Sequence, residues 1–521
     1  MAHLPTVAAL PVGRASGLPG ISGDLILVSN RGPVEYTISP SGALEAGRGS
    51  GGVVTALSAV ATNAAVTWIA CPMGPGDRLA GLTALDTPYS IRKNPAVRFA
   101  GVPQEAYDRY YRIFANSILW SLQHHLWDTG NNPNINSGIY DAWENGYVTV
   151  NRLVADAVAE VAARGLKPVV LLQDYHLYLV ASHLRKLSPH AMLQHFIHIP
   201  WPESRYWSLL PATFRTPILR SLCDTDIVGF QTHRDAHNFL YTCEYLLADT
   251  RVNYRLGTVR TAKRTTYARE YPISIDVEGV RATANSPEAT RYLDKLTPLK
   301  GQQTILRVDR LEPSKNIIRG FRAFDTLLGR YPDLAGKVRF WAFLVPSRTE
   351  LSSYRNYRDE VFALVAEINA RHGHDAWKPI EVFHENNYVQ AIAAMTQYDV
   401  LMVNSVIDGM NLVAKEGVTV NQRDGVLILS ETAGAFEELG RYALAVAATD
   451  IEGMVQTLHA ALIMSRRERS RRARQLRRAV AQADLSRWVA NQLGDISTLA
   501  QEGRLKPQRR RLSGPPAPLS I

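Results

Sequence analysis

Several residue clusters in this 521-residue chain have types and spacings that suit phosphate and sugar chemistry. The first is the run 404–418, Asn-Ser-Val-Ile-Asp-Gly-Met-Asn-Leu-Val-Ala-Lys-Glu-Gly-Val, which follows the apolar Val400 to Val403. A buried strand ends there, a Gly-containing turn follows, and a helix starts near Asn411 to Val413 with Glu416 in its first turns. Free amides at a helix N-terminus suit a phosphate and a nearby carboxylate suits a sugar diol, so the stretch reads as a nucleotide-sugar pocket. An ordinary βα loop in which Asp408 caps the helix is the alternative. The second cluster is Asp309 to Asn316, between an apolar run at Thr304 to Val308 and an amphipathic helix to Leu328. Arg310 and Lys315 bracket a turn at a helix N-terminus, where guanidinium, ammonium and backbone donors together suit a diphosphate. Asp174 follows the strand Pro168 to Leu172, and His198 ends the run from Met192. Equivalent ends of successive strands place the two on one rim, although a structural histidine is the alternative. Arg31 after Leu25 to Val28 and Arg348 after Arg339 to Val345 also stand at strand C-terminal ends, where open α/β sheets bind ligands.

Parallel strands must carry these residues. Val66 to Ile69 and Val97 to Val102 read as further strands of a first half, and Tyr271 to Ser274 as its last. Gly47-Arg-Gly-Ser-Gly-Gly52 satisfies the G-x-G-x-x-G spelling, but it lies about twenty residues past the strand, and Pro72 and Met73 stand where an acid is required. It reads instead as a glycine loop opening a helix from Val53 to Thr62, where backbone approaches a ligand closely. Tyr107 to Trp120 is a helix dense in aromatics. Tyr111 and Trp120 are nine residues apart, about two and a half α-helical turns, so one buried face need not hold both. Asp224 and Asp226 resemble the metal-binding pair of another class of sugar transferases, but they precede the strand Ile227 to Phe230, at the wrong end, and read as a turn. No metal and no cofactor is expected.

Six further strand runs, beginning at Thr304, Arg339, Ile380, Val400, Gly425 and Ala443, alternate with helices in the second half, and helices at Ile451 to Ile463, Arg466 to Ala483 and Ser486 to Glu502 finish the chain. The class is α/β. The expected organisation is a flexible tail at 1–22, a Rossmann-like domain at 23–275, a crossover at 276–300, a second Rossmann-like domain at 301–483, a helix at 484–504 returning towards the first domain, and a disordered basic tail at 505–521. No apolar run is long enough for a membrane helix, and three widely spaced cysteines, Cys71, Cys223 and Cys243, point to a reducing cytoplasm. Between Arg466 and Arg478 stand eight arginines and one glutamate, and five further basic residues lie between Arg504 and Arg511. These segments carry more positive charge than the net +10 of the whole chain, so the body is almost neutral. The arginine-rich helix reads as a solvated face, with RNA, anionic membrane or a partner protein as alternatives.

Taken together, these motifs resemble the retaining glycosyltransferases of the trehalose-6-phosphate synthase family. The resemblance rests on Val28-Ser-Asn-Arg31, Ser50-Gly-Gly52, Tyr110-Tyr-x-x-Phe-x-Asn-x-x-Leu-Trp120, Asp174-Tyr-His-Leu177, His198-Ile-Pro200, Gly229-Phe-Gln-Thr232, Arg310 to Lys315, Ser347-Arg348 and Asp408 to Glu416, in family order. It implies the GT-B architecture, two Rossmann-like domains facing each other across a cleft, with the nucleotide sugar on the C-terminal domain and the acceptor on the N-terminal one. By that resemblance Arg310 and Lys315 hold the donor diphosphate, and Asp174 and His198 lie at the transferred sugar. Gly51, Gly52, Asp408, Gly409, Met410, Asn411, Leu412, Val413 and Glu416 bind the donor. Arg31, Tyr111, Trp120 and Arg348 bind the acceptor. The implied reaction is glucosyl transfer from UDP- or GDP-glucose to glucose 6-phosphate. The implied partners are a nucleotide sugar and a sugar phosphate, without nucleic acid or membrane, and homo-oligomerisation is left open. Three positions depart from the common pattern: Ile407 stands where it has arginine, Pro313-Ser-Lys-Asn316 where it commonly has Tyr-Ser-Lys-Gly, and Gln173 where it has histidine. Pro-Ser-Lys-Asn and His-Ile-Pro-Trp-Pro resemble the validoxylamine phosphate synthases, pseudo-glycosyltransferases that join cyclitols, so coupling of a nucleotide cyclitol to an aminocyclitol phosphate is one alternative; glucosyl transfer to glycerol phosphate is another. A non-catalytic regulatory member is a third reading.

Overall fold

The computed structural model describes residues 25–49, 54, 56–58, 66–83, 96–165, 167–296, 302–374 and 377–508. Two compact units form. One comprises the described residues up to Ile273 together with 486–508, and the other spans Ser274–Leu485.

In the first unit the strands are β1 (Leu25–Ser29), β2 (Val34–Ile38), β3 (Leu44–Arg48), β4 (Val66–Ala70), β5 (Ala96–Phe99), β6 (Val169–Gln173), β7 (Met192–Phe196), β8 (Ile227–Phe230), β9 (Arg251–Asn253), β10 (Thr258–Arg260) and β11 (Thr265–Glu270). Their main sheet has the order β5-β4-β1-β6-β7-β8-β11-β10-β9, parallel as far as β11, while β2 and β3 form a separate hairpin. Without the hairpin the first six strands run third, second, first, fourth, fifth, sixth. This is the Rossmann order, and its switch point lies between β1 and β6. Both strands are buried continuously because helices cover both faces of a parallel sheet.

The second unit repeats the plan with β12 (Gln303–Arg310), β13 (Val338–Val345), β14 (Ile380–Phe383), β15 (Val400–Val403), β16 (Val426–Ser430) and β17 (Leu444–Val446). All are parallel, in the order β14-β13-β12-β15-β16-β17, so its switch point lies between β12 and β15.

Several expectations are corrected. The strand expected at Tyr271 to Ser274 lies earlier, at Thr265–Glu270, where Arg269 obscured the pattern. That arginine is buried within the strand, its guanidinium 4.9 Å from the Tyr267 ring and 3.6 Å from Asp495. The strand expected at Val97 to Val102 is Ala96–Phe99. The crossover contains helices Val277–Ala284 and Pro287–Leu296. The expected glycine loop at Gly51 and Gly52 lies outside the described residues, as does most of the helix expected after it.

The aromatic helix is a single rod from Gln104 to Gln123 whose central segment, Arg109–Leu119, is π-helical. Bonding i to i+5 takes more residues per turn than an α-helix, which brings a nine-residue spacing back towards one face. A second π segment, Ala142–Val148, packs on the first. Gly146 allows that approach, since a Cβ there would lie 2.6 Å from the Tyr110 amide nitrogen.

The last helix, Leu485–Glu502, packs on the first unit: Trp488 Nε1 donates to the Tyr271 carbonyl at 3.1 Å, and the Tyr271 hydroxyl donates to Asp495 at 2.7 Å. The disordered tail expected from 505 is contradicted over its first residues. Leu505 is buried, and the Gln508 side-chain amide exchanges hydrogen bonds with the Glu270 backbone at 2.9 and 3.2 Å. The basic helix Arg466–Gln482 is not only a solvated face. Arg469 reaches Asp399 at 3.1 Å, Arg477 reaches Asp424 at 2.9 Å, and Arg472 donates to the Tyr442 and Ala443 carbonyls. Among the described residues no helix is long and apolar enough to cross a membrane.

Candidate active site

At the first unit's switch point, Arg31 follows β1 and Asp174 follows β6. Asp174 has φ 71° and ψ 173°, a conformation that costs a non-glycine residue about 1–3 kcal/mol and marks functional turns. It is held there from both sides. Its amide donates to the Phe196 carbonyl at 2.7 Å, and His195 Nε2 donates to its carbonyl at 2.9 Å. Its side chain accepts the His198 amide at 3.2 Å, so the adjacency expected of Asp174 and His198 is present.

His198 is buried. Its Nε2 donates to Gln173 Oε1 at 3.0 Å, and Nδ1 faces Gln231 Nε2 at 3.5 Å. Gln231 is fixed in turn because its Oε1 accepts the Ile273 amide at 2.9 Å. Burial, with His195 adding to it, pushes the His198 imidazole down to about 3, so it is neutral. Burial likewise pushes His195 down to about 4. Sequence reasoning singled out His198 but missed the two glutamines that orient it. Gln173 entered only as a departure from the family pattern.

The turn Tyr175–Leu177 gathers the acceptor candidates. Tyr111 stacks on His176 at 5.7 Å and on Tyr107 at 5.3 Å, and Trp120 packs on Tyr175 at 5.7 Å and stacks on His124 at 3.8 Å. Tyr111 and Trp120 thus touch consecutive residues of one turn, as the π winding allows. Arg31 Nε lies 3.2 Å from Met73 Sδ, and the neighbouring Asn30 is bracketed by the Tyr107 and Tyr110 hydroxyls at 3.3 and 3.1 Å.

In the second unit, the loops after β12 and β15 flank the switch point and bond to each other. Lys315 Nζ donates to Asp408 Oδ2, which also accepts from Ser405 Oγ at 3.2 Å and Asn411 Nδ2 at 3.1 Å. Asn411, not Asp408, caps the helix Leu412–Val420, accepting the Ala414 amide at 3.2 Å. Asp408 is therefore available to the neighbouring lysine, and the capping alternative is set aside. Leu412 and Val413 open the helix half-buried, and Glu416 lies one turn further on.

The loop is clamped from behind by residues 432–435. The Gly434 amide donates to the Asp408 carbonyl at 2.9 Å and the Ala435 amide to Met410 at 2.7 Å. A Cβ at Gly434 would lie 1.8 Å from the Gly409 oxygen, so only glycine fits. The first-loop residues are set by Arg307, fully buried inside β12, which bonds Asp309 at 2.9 Å, the Lys315 carbonyl at 2.9 Å and Asn404 at 3.1 Å. Its signal was the i, i+2 pair of charges within an apolar strand, which share one face. Asn316 has φ 56°, a left-handed conformation that asparagine tolerates well, and this explains why asparagine serves where the family pattern has glycine.

Arg310 and Arg348 both reach Glu312, at 3.1 and 3.3 Å. Six non-glycine residues have positive φ among those described, and Asp174, Asn316, Arg348 and Asn411 are four of them. That concentration at the candidate residues is independent of any motif. Asp226 proves to be a structural clamp, bonded to Arg185 at 2.6 Å and Arg264 at 2.9 Å.

Comparisons with known proteins agree with this fold. The family model described as Glycosyltransferase family 20 matches residues 23–498. A trehalose-6-phosphate synthase of Mycolicibacterium paratuberculosis is 33% identical over 509 residues, 94% of this chain and 98% of the relative. An Aspergillus fumigatus alpha,alpha-trehalose-phosphate synthase (UDP-forming) is 31% identical over 494 residues, 91% of this chain and 97% of the relative. Among solved structures, the Escherichia coli protein bound with UDP-2-fluoro glucose is similar at a TM-score of 0.77 and 27% identity, covering 93% of this chain and 100% of that one. The Burkholderia xenovorans protein in complex with glucose-6-phosphate is similar at a TM-score of 0.77 and 28% identity, covering 91% and 99%. With two Rossmann-like units, a matching family model over nearly its full length and this similarity to GT-B structures, the chain belongs to glycosyltransferase family 20, as a glycosyltransferase of the trehalose-phosphate synthase family.

Proposed function

We propose that this glycosyltransferase moves glucose, with retention, from UDP- or GDP-glucose to glucose 6-phosphate, giving trehalose 6-phosphate. The observation that carries the reading is the loop pair at the second unit's switch point, where Lys315 is bonded to Asp408 beside Arg310 and a helix N-terminus. A UDP-forming relative, and similar structures bound with UDP-2-fluoro glucose or with glucose-6-phosphate, support the same substrates.

In this reading the donor diphosphate displaces Asp408 from Lys315 and takes Arg310, Lys315 and the amides near Leu412 and Val413. Glu416 takes the ribose hydroxyls. Gly51, Gly52 and the segment Asp408 to Met410 complete the donor contacts. Asp174 and the neutral His198 orient the transferred glucose, while Arg31, Tyr111, Trp120 and Arg348 hold the acceptor. The bond from the anomeric carbon to the leaving phosphate breaks, the acceptor hydroxyl oxygen bonds that carbon on the same face, and its proton passes to the leaving phosphate oxygen. The protein's part is to hold charge and geometry ready in advance, with fixed cations facing the charge that develops on the diphosphate. A cytoplasmic location is part of the proposal, supported by three buried free cysteines.

The test incubates the purified chain with UDP- or GDP-glucose and glucose 6-phosphate in the presence of a chelator and follows nucleoside diphosphate release and product anomeric configuration. Release dependent on glucose 6-phosphate is expected. Release only with a cyclitol phosphate or glycerol phosphate would reassign the acceptor, and none with any of these would sink the reading.

A further inference from the structure

One carboxylate joins the two loops of the second unit that carry its arginines. Glu312 is 0% exposed, and a charge so placed needs partners at each oxygen. Oε1 pairs with Arg310 Nη2 at 3.1 Å, at the end of β12, and accepts from Ser314 Oγ at 3.0 Å on the loop that follows. Oε2 accepts from Ser347 Oγ and Arg348 Nη1, both at 3.3 Å, on the loop after β13. Each oxygen therefore grips a different loop. Arg348 is further confined by left-handed backbone, φ 43°, and by the Tyr354 hydroxyl, 2.7 Å from Nη1. An acid here opposes anion binding, because it offsets part of the positive charge that phosphates would meet. Its placement makes sense as geometry rather than as field.

We propose that Glu312 is a positioning residue that presets Arg310 for the donor diphosphate and Arg348 for the acceptor phosphate, and so couples occupancy of the two sites. This rests on the function proposed above. When the diphosphate draws Arg310 away from Oε1, the undivided carboxylate holds Arg348 more firmly in its binding pose. The acceptor then loses less side-chain freedom on binding.

Calorimetric titration of the full chain with UDP and GDP, with and without saturating glucose 6-phosphate, tests this. Glucose 6-phosphate is expected to tighten nucleoside diphosphate binding about threefold or more in the unmodified protein. Glu312→Gln keeps the shape but puts an amide donor towards one of the two loops. It is expected to bring that ratio to one and to raise the KM for glucose 6-phosphate about tenfold. Ser314→Ala guards against a misfolded Gln variant. It lies on the donor loop, yet it is expected to raise the acceptor KM about twofold, with a lowered unfolding temperature but a fully folded protein at the assay temperature. A purely structural role for Glu312 would lower the active fraction without moving either the ratio or the KM. If the unmodified protein binds no nucleoside diphosphate, the function proposed above fails. If it binds one and both variants keep its ratio and acceptor KM, only the assignment of Glu312 is overturned.

Discussion

Glu416 lies 3.1 Å from the hydroxyl of Tyr388, a residue that the motifs did not point to. Burial pushes the Glu416 carboxyl up to about 7, and the Tyr388 hydrogen bond opposes the rise. Ribose hydroxyls are donors and need the ionised carboxylate. Nucleoside diphosphate affinity is therefore expected to fall as pH drops below about 7. Tyr388→Phe removes the opposing bond and should move that midpoint upward, as measured by titrating UDP and GDP from about pH 6 to 8.5. An unmoved midpoint would separate Tyr388 from Glu416. For stability the sign is opposite. The folded value lies above the ordinary 4.5, so the contribution is fully present below 4.5 and is lost as pH rises through about 7. At Lys315 the expectation concerns rate. Lys315→Ala should lower turnover about 100-fold or more while leaving the glucose 6-phosphate KM within about twofold, since the ammonium meets charge that grows on the leaving diphosphate. Steady-state kinetics with both substrates varied would show it, and unchanged turnover would remove Lys315 from the reaction.

The loops act as elements because each is clamped to a neighbour. Arg307 inside β12 holds the Lys315 carbonyl, and residues 432–435 hold the carbonyls of Asp408 and Met410. Gly434→Ala forces a methyl group to 1.8 Å from the Gly409 oxygen, so the donor loop must move. Donor affinity is expected to fall about tenfold or more, with a drop in melting temperature, because the displaced loop loses both backbone hydrogen bonds. Nucleoside diphosphate titration alongside calorimetric unfolding would show both effects, and wild-type affinity in this variant would mean that the 432–435 clamp does not set the donor loop. At Asn316 the element accounts for a departure from the family pattern, since the left-handed turn after Lys315 accepts asparagine as well as glycine.

Across the described residues, the last segment belongs to the unit that begins with β1. Leu505 is buried there and Gln508 pairs with the edge of β11. Removing residues after Gly503 is expected to destabilise that unit by about 2–4 kcal/mol, from burial of one leucine and the hydrogen bonds of the Gln508 side chain to the Glu270 backbone. Differential scanning calorimetry should show the first unit melting earlier, and an unshifted transition would make the segment dispensable. The +10 net charge does not require an anionic macromolecule, because arginines of the helix Arg466–Gln482 are used on Asp399, Asp424 and main-chain carbonyls of their own unit.

The sequence by itself determined the α/β class, nearly every parallel strand, the family, and which strand ends carry Arg31, Asp174, Arg310, Arg348 and the Asp408 loop. Apolar runs and turn residues are local signals, and strand C-termini are where such sheets bind ligands. Tertiary structure alone decided the pairings: Lys315 with Asp408, His198 between two glutamines, Tyr388 on Glu416, and Glu312 between two arginine loops. Each partner lies tens of residues away in sequence or hides as one polar residue in an ordinary loop, so no period or spacing announces it. The same holds for the strand at Thr265–Glu270 and the π turns of the aromatic rod. A buried arginine and a change of helical winding are tolerated only because of what packs around them.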